Sequence, residues 1–187
     1  MPAARVLILG ASFALDAETL PFWRHCQFEL GHIGFSPGKS SGNRSVAVLS
    51  AINPELDIWI GRLGERIRRH LAVWLSQFLQ DMAVDIVVEL IRFSQYKADL
   101  DELDKNEIEA FLLGHKGFEL CFASLQAFVM QAITQNLDDL EVDEWLVEKL
   151  VLNLPWEKLA GNSELKGRKA IQRELRVRLK ALVDKTI

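Results

Sequence analysis

The chain has 187 residues, 49% of them apolar, 26% charged and 9% aromatic, with a net charge of −4. That length suits one domain, or one domain with a small appendage, and the composition of an ordinary folded protein excludes global disorder. The longest apolar runs fall far short of the ~20 residues a membrane span needs, so no membrane partner is expected. Residues 6–9 (Val-Leu-Ile-Leu) are too few for the core of a signal peptide. Cys26 and Cys121 make no disulfide framework and no CxxC pair, so a reducing, cytoplasmic setting is the expectation.

The charge is segregated along the chain. Residues 1–53 carry four basic and three acidic side chains, and residues 54–97 carry six of each. Residues 98–160 hold four basic groups against fourteen acidic ones, and residues 161–187 reverse this with eight against three. Such a distribution implies either attraction between segments of the chain or two surfaces for different partners.

Residues 1–53 read as an irregular or small α/β N-terminal segment, and residues 54–187 as a helical domain. The run at 6–9, closed by Gly10, is a candidate strand. Leu20-Pro21-Phe22-Trp23 suits the opening of a short helix, with Pro21 in the first turn. Gly31, Gly34, Pro37, Gly38 and Gly42 crowd residues 31–43 together with three serines, a loop on composition. Residues 45–51 read either as a strand or as the lead-in to a helix.

From Asn53 onward the signals are helical. Asn53 is a good N-cap, Pro54 fits the first helical position, and Glu55 and Asp57 suit the positive end of the macrodipole. Leu56, Ile60, Leu63, Ile67, Leu71, Trp74 and Phe78 recur at spacings of three and four, which predicts one core-facing stripe. Residues 84–91 are rich in β-branched side chains, and periodicity leaves helix and strand open there. Asp104-Lys105-Asn106-Glu107 has the form of a capping box for a helix through Ile108, Leu112, Phe118, Phe122 and Leu125 towards Thr134. Gly114 and Gly117 are placed to break it. Residues 142–152 predict another helix, stopped by Pro155. Gly161-Asn162-Ser163 predicts a turn, and residues 164–184 a last helix.

Most chemical motifs fail on spacing. Between Gly34 and Gly38-Lys39-Ser40 lie three residues, where a phosphate-binding loop needs four. Gly10-Ala11-Ser12 lacks the later glycines of a dinucleotide fingerprint, and Ala14 stands where a nucleophile elbow needs glycine. It reads as a strand ending in a tight turn. His25, Cys26 and His32 have no second close pair of ligands, and His115 and Cys121 fall on different helical faces. No metal and no cofactor is expected. The acidic residues match no calcium loop, and the sequence selects no pair of carboxylates for catalysis.

Two basic features remain. Ile60-Gly61-Arg62-Leu63-Gly64-Glu65-Arg66 is similar, over about ten residues of the chain, to the GxxG signature of KH nucleic-acid-binding domains. The preferred reading is a continuous helix in which Gly61 and Gly64 permit close packing. Under either reading Arg62, Arg66 and Arg69 share one face. At the C-terminal end Lys166, Lys169, Arg173, Arg176 and Lys180 recur at three and four, with Arg168 and Arg178 widening the stripe. Ile171, Leu175, Leu179 and Leu182 occupy another face of that helix. Docking on the chain's own acidic segment and contact with an external anion both follow from such a stripe.

The expected fold is therefore mainly α, a helical bundle, with a glycine-rich N-terminal part in which short strands are candidates. The expected function is that of a non-catalytic binding subunit of a larger assembly. It would touch nucleic acid or an acidic protein surface through Arg62, Arg66, Arg69, Lys166, Lys169, Arg173, Arg176 and Lys180. A pure protein–protein adaptor is the competing class, and a small enzyme built on the glycine-rich region is the third.

Overall fold

The computed structural model describes residues 6–38, 42–135, 142–161, 165 and 167–186. Lys39, Ser40, Asn162, Ser163, Glu164 and Lys166, which figure in the expectations above, lie outside the described residues. The chain is mainly α, with a small sheet in its N-terminal part. Strand β1 (Ile8–Ala14), β2 (Glu29–Ile33) and β3 (Ser45–Ala51) form an antiparallel sheet in the order β1-β3-β2. Helix α1 (Thr19–His25) joins β1 to β2.

Two expectations for this region change. Gly10-Ala11-Ser12 lies inside β1 and not in a turn, because β1 continues to Ala14 against β3. Residues 31–33, expected as loop, belong to β2. The glycines there serve packing. The Leu49 side chain lies over Gly10 and Gly31 on the two flanking strands, and a Cβ at either position would sit 2.9 Å from it. Glycine in a strand marks such a close approach as readily as a turn.

Asn53 accepts a hydrogen bond from the Glu55 N–H and starts a short 3₁₀ turn (Pro54–Leu56) that runs into α2 (Asp57–Gln77). Ile60, Ile67 and Leu71 are buried, and Leu63 and Trp74 are half-buried against the core. Phe78 departs from the predicted stripe. The helix ends one residue earlier and leaves this ring 62% exposed. Residues 84–91 are helical, within α3 (Val84–Ser94). Val87, Val88, Leu90, Ile91 and Phe93 are all buried there, so the sequence reads almost uniformly apolar and hides the helical period.

The capping box also shifts by one turn. Asp101 is the N-cap of α4 (Glu102–Leu112), and the Asp104 carboxylate accepts from the Asp101 N–H, so Asp104 is the third helical residue. Gly114, in the left-handed region at φ 78°, separates α4 from α5 (Phe118–Gln135). Then follow α6 (Glu144–Leu146), a π-helical turn (Val147–Val151), α7 (Trp156–Gly161) and α8 (Arg168–Thr186). Helix α2 packs on β2, β3 and α3, whereas α8 packs on α4, α6 and α7. One continuous apolar cluster joins Val46 and Val48 of the sheet to Leu71 of α2, Leu90 of α3, Leu125 of α5 and Leu175 of α8.

The π-turn holds the one fully buried lysine among the described residues. Lys149 is 3% exposed, and its Nζ donates to the Leu154 carbonyl at 2.6 Å and to Asn153 Oδ1 at 3.2 Å. The Trp156 and Phe118 rings lie 4.3 and 5.1 Å from the ammonium. Asn153 adopts φ 52° to bring its amide round. Burial, aided by the charge of Arg168, lowers the Lys149 pKa from 10.5 to about 8. Between those values the unfolded chain binds more protons than the folded one, so this group makes stability rise with pH. The stability difference between wild type and Lys149→Met should grow by roughly 3 kcal/mol from pH 8 to 10.5, as read by urea denaturation across that range. A flat difference would show that the ammonium is solvated.

Candidate functional site

The outer face of α2 places the first group of predicted site residues. Arg62, Arg66 and Arg69 are exposed and line up along the helix with Ile58 and Val73, as spacings of four and three require. Trp59 is 66% exposed, and the Arg62 guanidinium lies over its ring at 5.7 Å. Further along, His70 stacks on Trp74 with ring centres 5.5 Å apart, and Phe35 meets Trp74 edge-on at 5.3 Å. The arginine line therefore has one exposed ring beside it, Trp59, whereas Trp74 lies round the helix towards the core. By helical rise the face is about 22 Å long from Ile58 to Val73.

Gly61 and Gly64 lie in the middle of a continuous helix, so no GxxG loop forms. Gly64 is buried, and a Cβ there would sit 2.5 Å from the Glu29 carboxylate. Arg68, one residue off the outer face, pairs with Glu29 at 3.6 Å and donates to the Ser94 carbonyl. Of the four arginines in α2, Arg68 serves the fold. Arg69 pairs only with Glu65 of its own helix, both side chains being well exposed, and such a pair is weak.

The α8 residues divide. Lys169, Arg173 and Lys180 are exposed and make no ion pair with any described residue. Arg176 is half-buried. Its Nε donates to the Phe111 carbonyl at 2.8 Å, and its guanidinium lies 4.9 Å from the centre of the Phe111 ring. It therefore satisfies the C-terminal end of α4, where positive charge is favoured. Arg168 pairs with Glu119, and Arg178 pairs with Asp143 and Glu174 at 2.8 Å each. Three arginines of the predicted stripe and its flanks thus dock on the chain's own acidic segment and on α8 itself. The main packing partners of α2 are β2, β3 and α3, and those of α8 are α4, α6 and α7, so the two basic faces are carried by different parts of the fold.

A polar cluster that sequence reading missed lies between α4 and α5. The buried Ser124 hydroxyl is 2.8 Å from both Asp104 and Glu107, and Lys116 pairs with Glu107. The hydroxyl has one proton to give. Its hydrogen bond holds the Asp104 carboxyl below the usual carboxylate range, while Lys116 first, and Ser124 second, lower Glu107. The consistent arrangement gives the serine proton to Asp104 and leaves Glu107 to Lys116. None of the five hollows lined by Leu100, Trp145, Val84, Met82 or Phe28 includes these four residues, and their contacts run from α4 to α5 and the turn before it, so the group fastens two helices. The i, i+3 spacing of Asp104 and Glu107 was visible in sequence, but their partner twenty residues on was not.

Among the described residues no three His, Cys, Asp or Glu side chains converge as metal ligands. Cys121 is buried and free, and burial raises its thiol pKa; Cys26 is exposed and free. No helix among the described residues is long and apolar enough to cross a membrane.

Two outcomes test these assignments. Arg176→Ala should cost about 1–2 kcal/mol of stability through the uncovered α4 carbonyl, whereas Arg173→Ala should stay within about 0.5 kcal/mol. Equal effects in chemical denaturation would contradict the division of α8. Ser124→Ala should be less stable than wild type above the ordinary carboxylate range. That gap should narrow as pH falls through the lowered Asp104 pKa, because a protonated carboxyl no longer needs the donor. Acid titrations followed by circular dichroism would reveal it.

Comparison with protein-family models and with curated proteins finds no match for the chain.

Proposed function

We propose that the chain is a non-catalytic binding subunit of a larger assembly, and that the outer face of α2 takes a single strand of nucleic acid. One observation supports this reading above the others: exposed Trp59 carries Arg62 over its ring, in line with exposed Arg66 and Arg69. Aromatic rings offer a stacking surface to any base, and guanidinium groups offer paired donors to phosphate. Lys169, Arg173 and Lys180 on α8 are a second, separate source of phosphate contacts.

The runner-up is a protein–protein adaptor without nucleic-acid binding. It is favoured by the apolar corner where Val6, Leu7, Ile8 and Leu9 stand 43–63% exposed beside exposed Ile52, whose N–H donates to the Leu7 carbonyl. Contiguous exposed apolar surface marks interaction sites.

Binding of a short fluorescent single-stranded RNA, measured by anisotropy across a salt series, separates the two. Three phosphate contacts on α2 predict a log–log slope of about −2. Trp59→Ala should weaken binding by about 1–3 kcal/mol. Arg62→Glu with Arg66→Glu should remove it with little change in thermal midpoint, since both side chains are exposed. Absence of salt-sensitive binding in the wild type would leave the adaptor reading.

A further inference from the structure

A hollow of about 780 Å³ opens between the end of α1, the start of β2 and the end of α3. Its walls include Arg24, His25, Phe28, Arg92 and Phe93, with Gln27 and Gln95 at the edge. Nothing in the basic faces described above uses these residues.

Among the described residues the hollow's two arginines are under-partnered. Arg92 Nη1 donates to Glu89 Oε1 at 2.6 Å, but its buried Nε has no acceptor. Arg24 Nη1 is buried without an acceptor as well, 3.9 Å from Glu89 Oε2, too far for a hydrogen bond. Glu89 Oε2 is likewise left without a donor. Among the described residues two guanidinium groups therefore share one carboxylate, which leaves one positive charge in excess. The remaining acid in the walls, Glu29, is taken by Arg68 at 3.6 Å. Buried donors that lack acceptors cost about 1–3 kcal/mol each, more when charged, so the triad is incomplete as it stands.

The backbone at the edge closes two helices. Gln27 at φ 60° and Gln95 at φ 50°, both bordering this hollow, follow α1 and α3 in the left-handed conformation common at helix C-termini. The chain turns sharply at both, and the two exposed carboxamides stand beside the hollow.

We propose that this hollow binds a small oxyanion, the carboxylate or phosphate group of a small molecule, between Arg24 and Arg92. The parts of the Arg24 and Arg92 side chains that line the hollow would hold the anion, which neutralises the excess charge. The volume suits a small organic ligand, and Phe28 and Phe93 give its body an apolar wall. The site is independent of the α2 face.

The test uses the whole chain with inorganic phosphate, acetate and phenyl phosphate as probes, at constant ionic strength set with chloride. Saturable shifts of the arginine Nε–H resonances of Arg24 and Arg92 are expected, with a rise in thermal midpoint. Phenyl phosphate should bind more tightly than inorganic phosphate. Arg24→Gln, which leaves the short Arg92–Glu89 pair in place, should weaken binding about tenfold or more, the loss of one charge-assisted contact. Should that variant fold poorly, the resonance shifts in wild type still decide. Shifts that do not saturate, that occur equally with chloride, or that spread over exposed Arg66 and Arg173 would overturn the proposal and leave a purely structural triad.

Discussion

Helix α8 docks on the acidic part of the chain, and that docking determines which positive charges remain for anything else. The apolar face supplies most of the energy. Ile171, Leu175, Leu179 and Leu182 are buried, each worth about 1.5–3 kcal/mol on transfer from water. The partly exposed ion pairs of Arg168 and Arg178 add about 0–1 kcal/mol each. Their contribution lies in register. A one-turn slip of α8 would keep an apolar residue inward but would part Arg178 from Asp143 and Arg176 from the end of α4. The strong segregation of charge along the chain is thus partly consumed within the fold, and Lys169, Arg173 and Lys180 are what it leaves outside.

Helix α2 works under a different constraint. Its inner face must serve both the sheet and the helices, and Gly64 lets the Glu29 carboxylate come in close where Arg68 can meet it. That ties β2 to α2 by a charged contact beside the apolar one made by buried Leu30 and Ile33. The outer face carries no such obligation. Its arginines are free to differ from Arg68 in role although they lie within a few residues of it in sequence.

The helices were legible because their apolar residues alternate with polar ones at helical spacing, as in α2 and α8. Asn53 was legible as a cap because its chemistry is local. Strand β2 was not, because Gly31 reads as turn chemistry until Leu49 is known to lie across it. Helix α3 hid its period by being buried nearly all round. The Asp101 cap was masked by a second acidic residue, Asp104, at a spacing that suits either position. In the candidate site, spacing revealed that Arg62, Arg66 and Arg69 share a face. It could not separate Arg173 from Arg176, which differ only in that α4 ends beside one of them. The Arg24–Glu89–Arg92 group joins two helices far apart in sequence, and no local pattern announces it.

The start of β1 and the start of α2 are bound together, which shapes what the α2 face can meet. The Leu7 carbonyl accepts from the N–H groups of Ile52 and Asn53, at 2.9 and 3.2 Å. This fixes exposed Leu7 against the residue that caps the turn into α2, and so sets the apolar corner at that end of the helix. Beyond the arginines that end carries exposed Glu55 and Asp57 and then apolar Val6–Leu9, none of which offers a side-chain donor to phosphate. A polyanion gains nothing from the corner, because phosphates there would lose water without finding donors. A nucleic-acid strand on α2 should accordingly be held from Trp59 towards Arg69 and leave Val6–Leu9 bare. In an assembly, the bare corner is then the part of this surface left for a protein neighbour, with β1's outer edge beside it, since among the described residues β1 pairs with β3 alone.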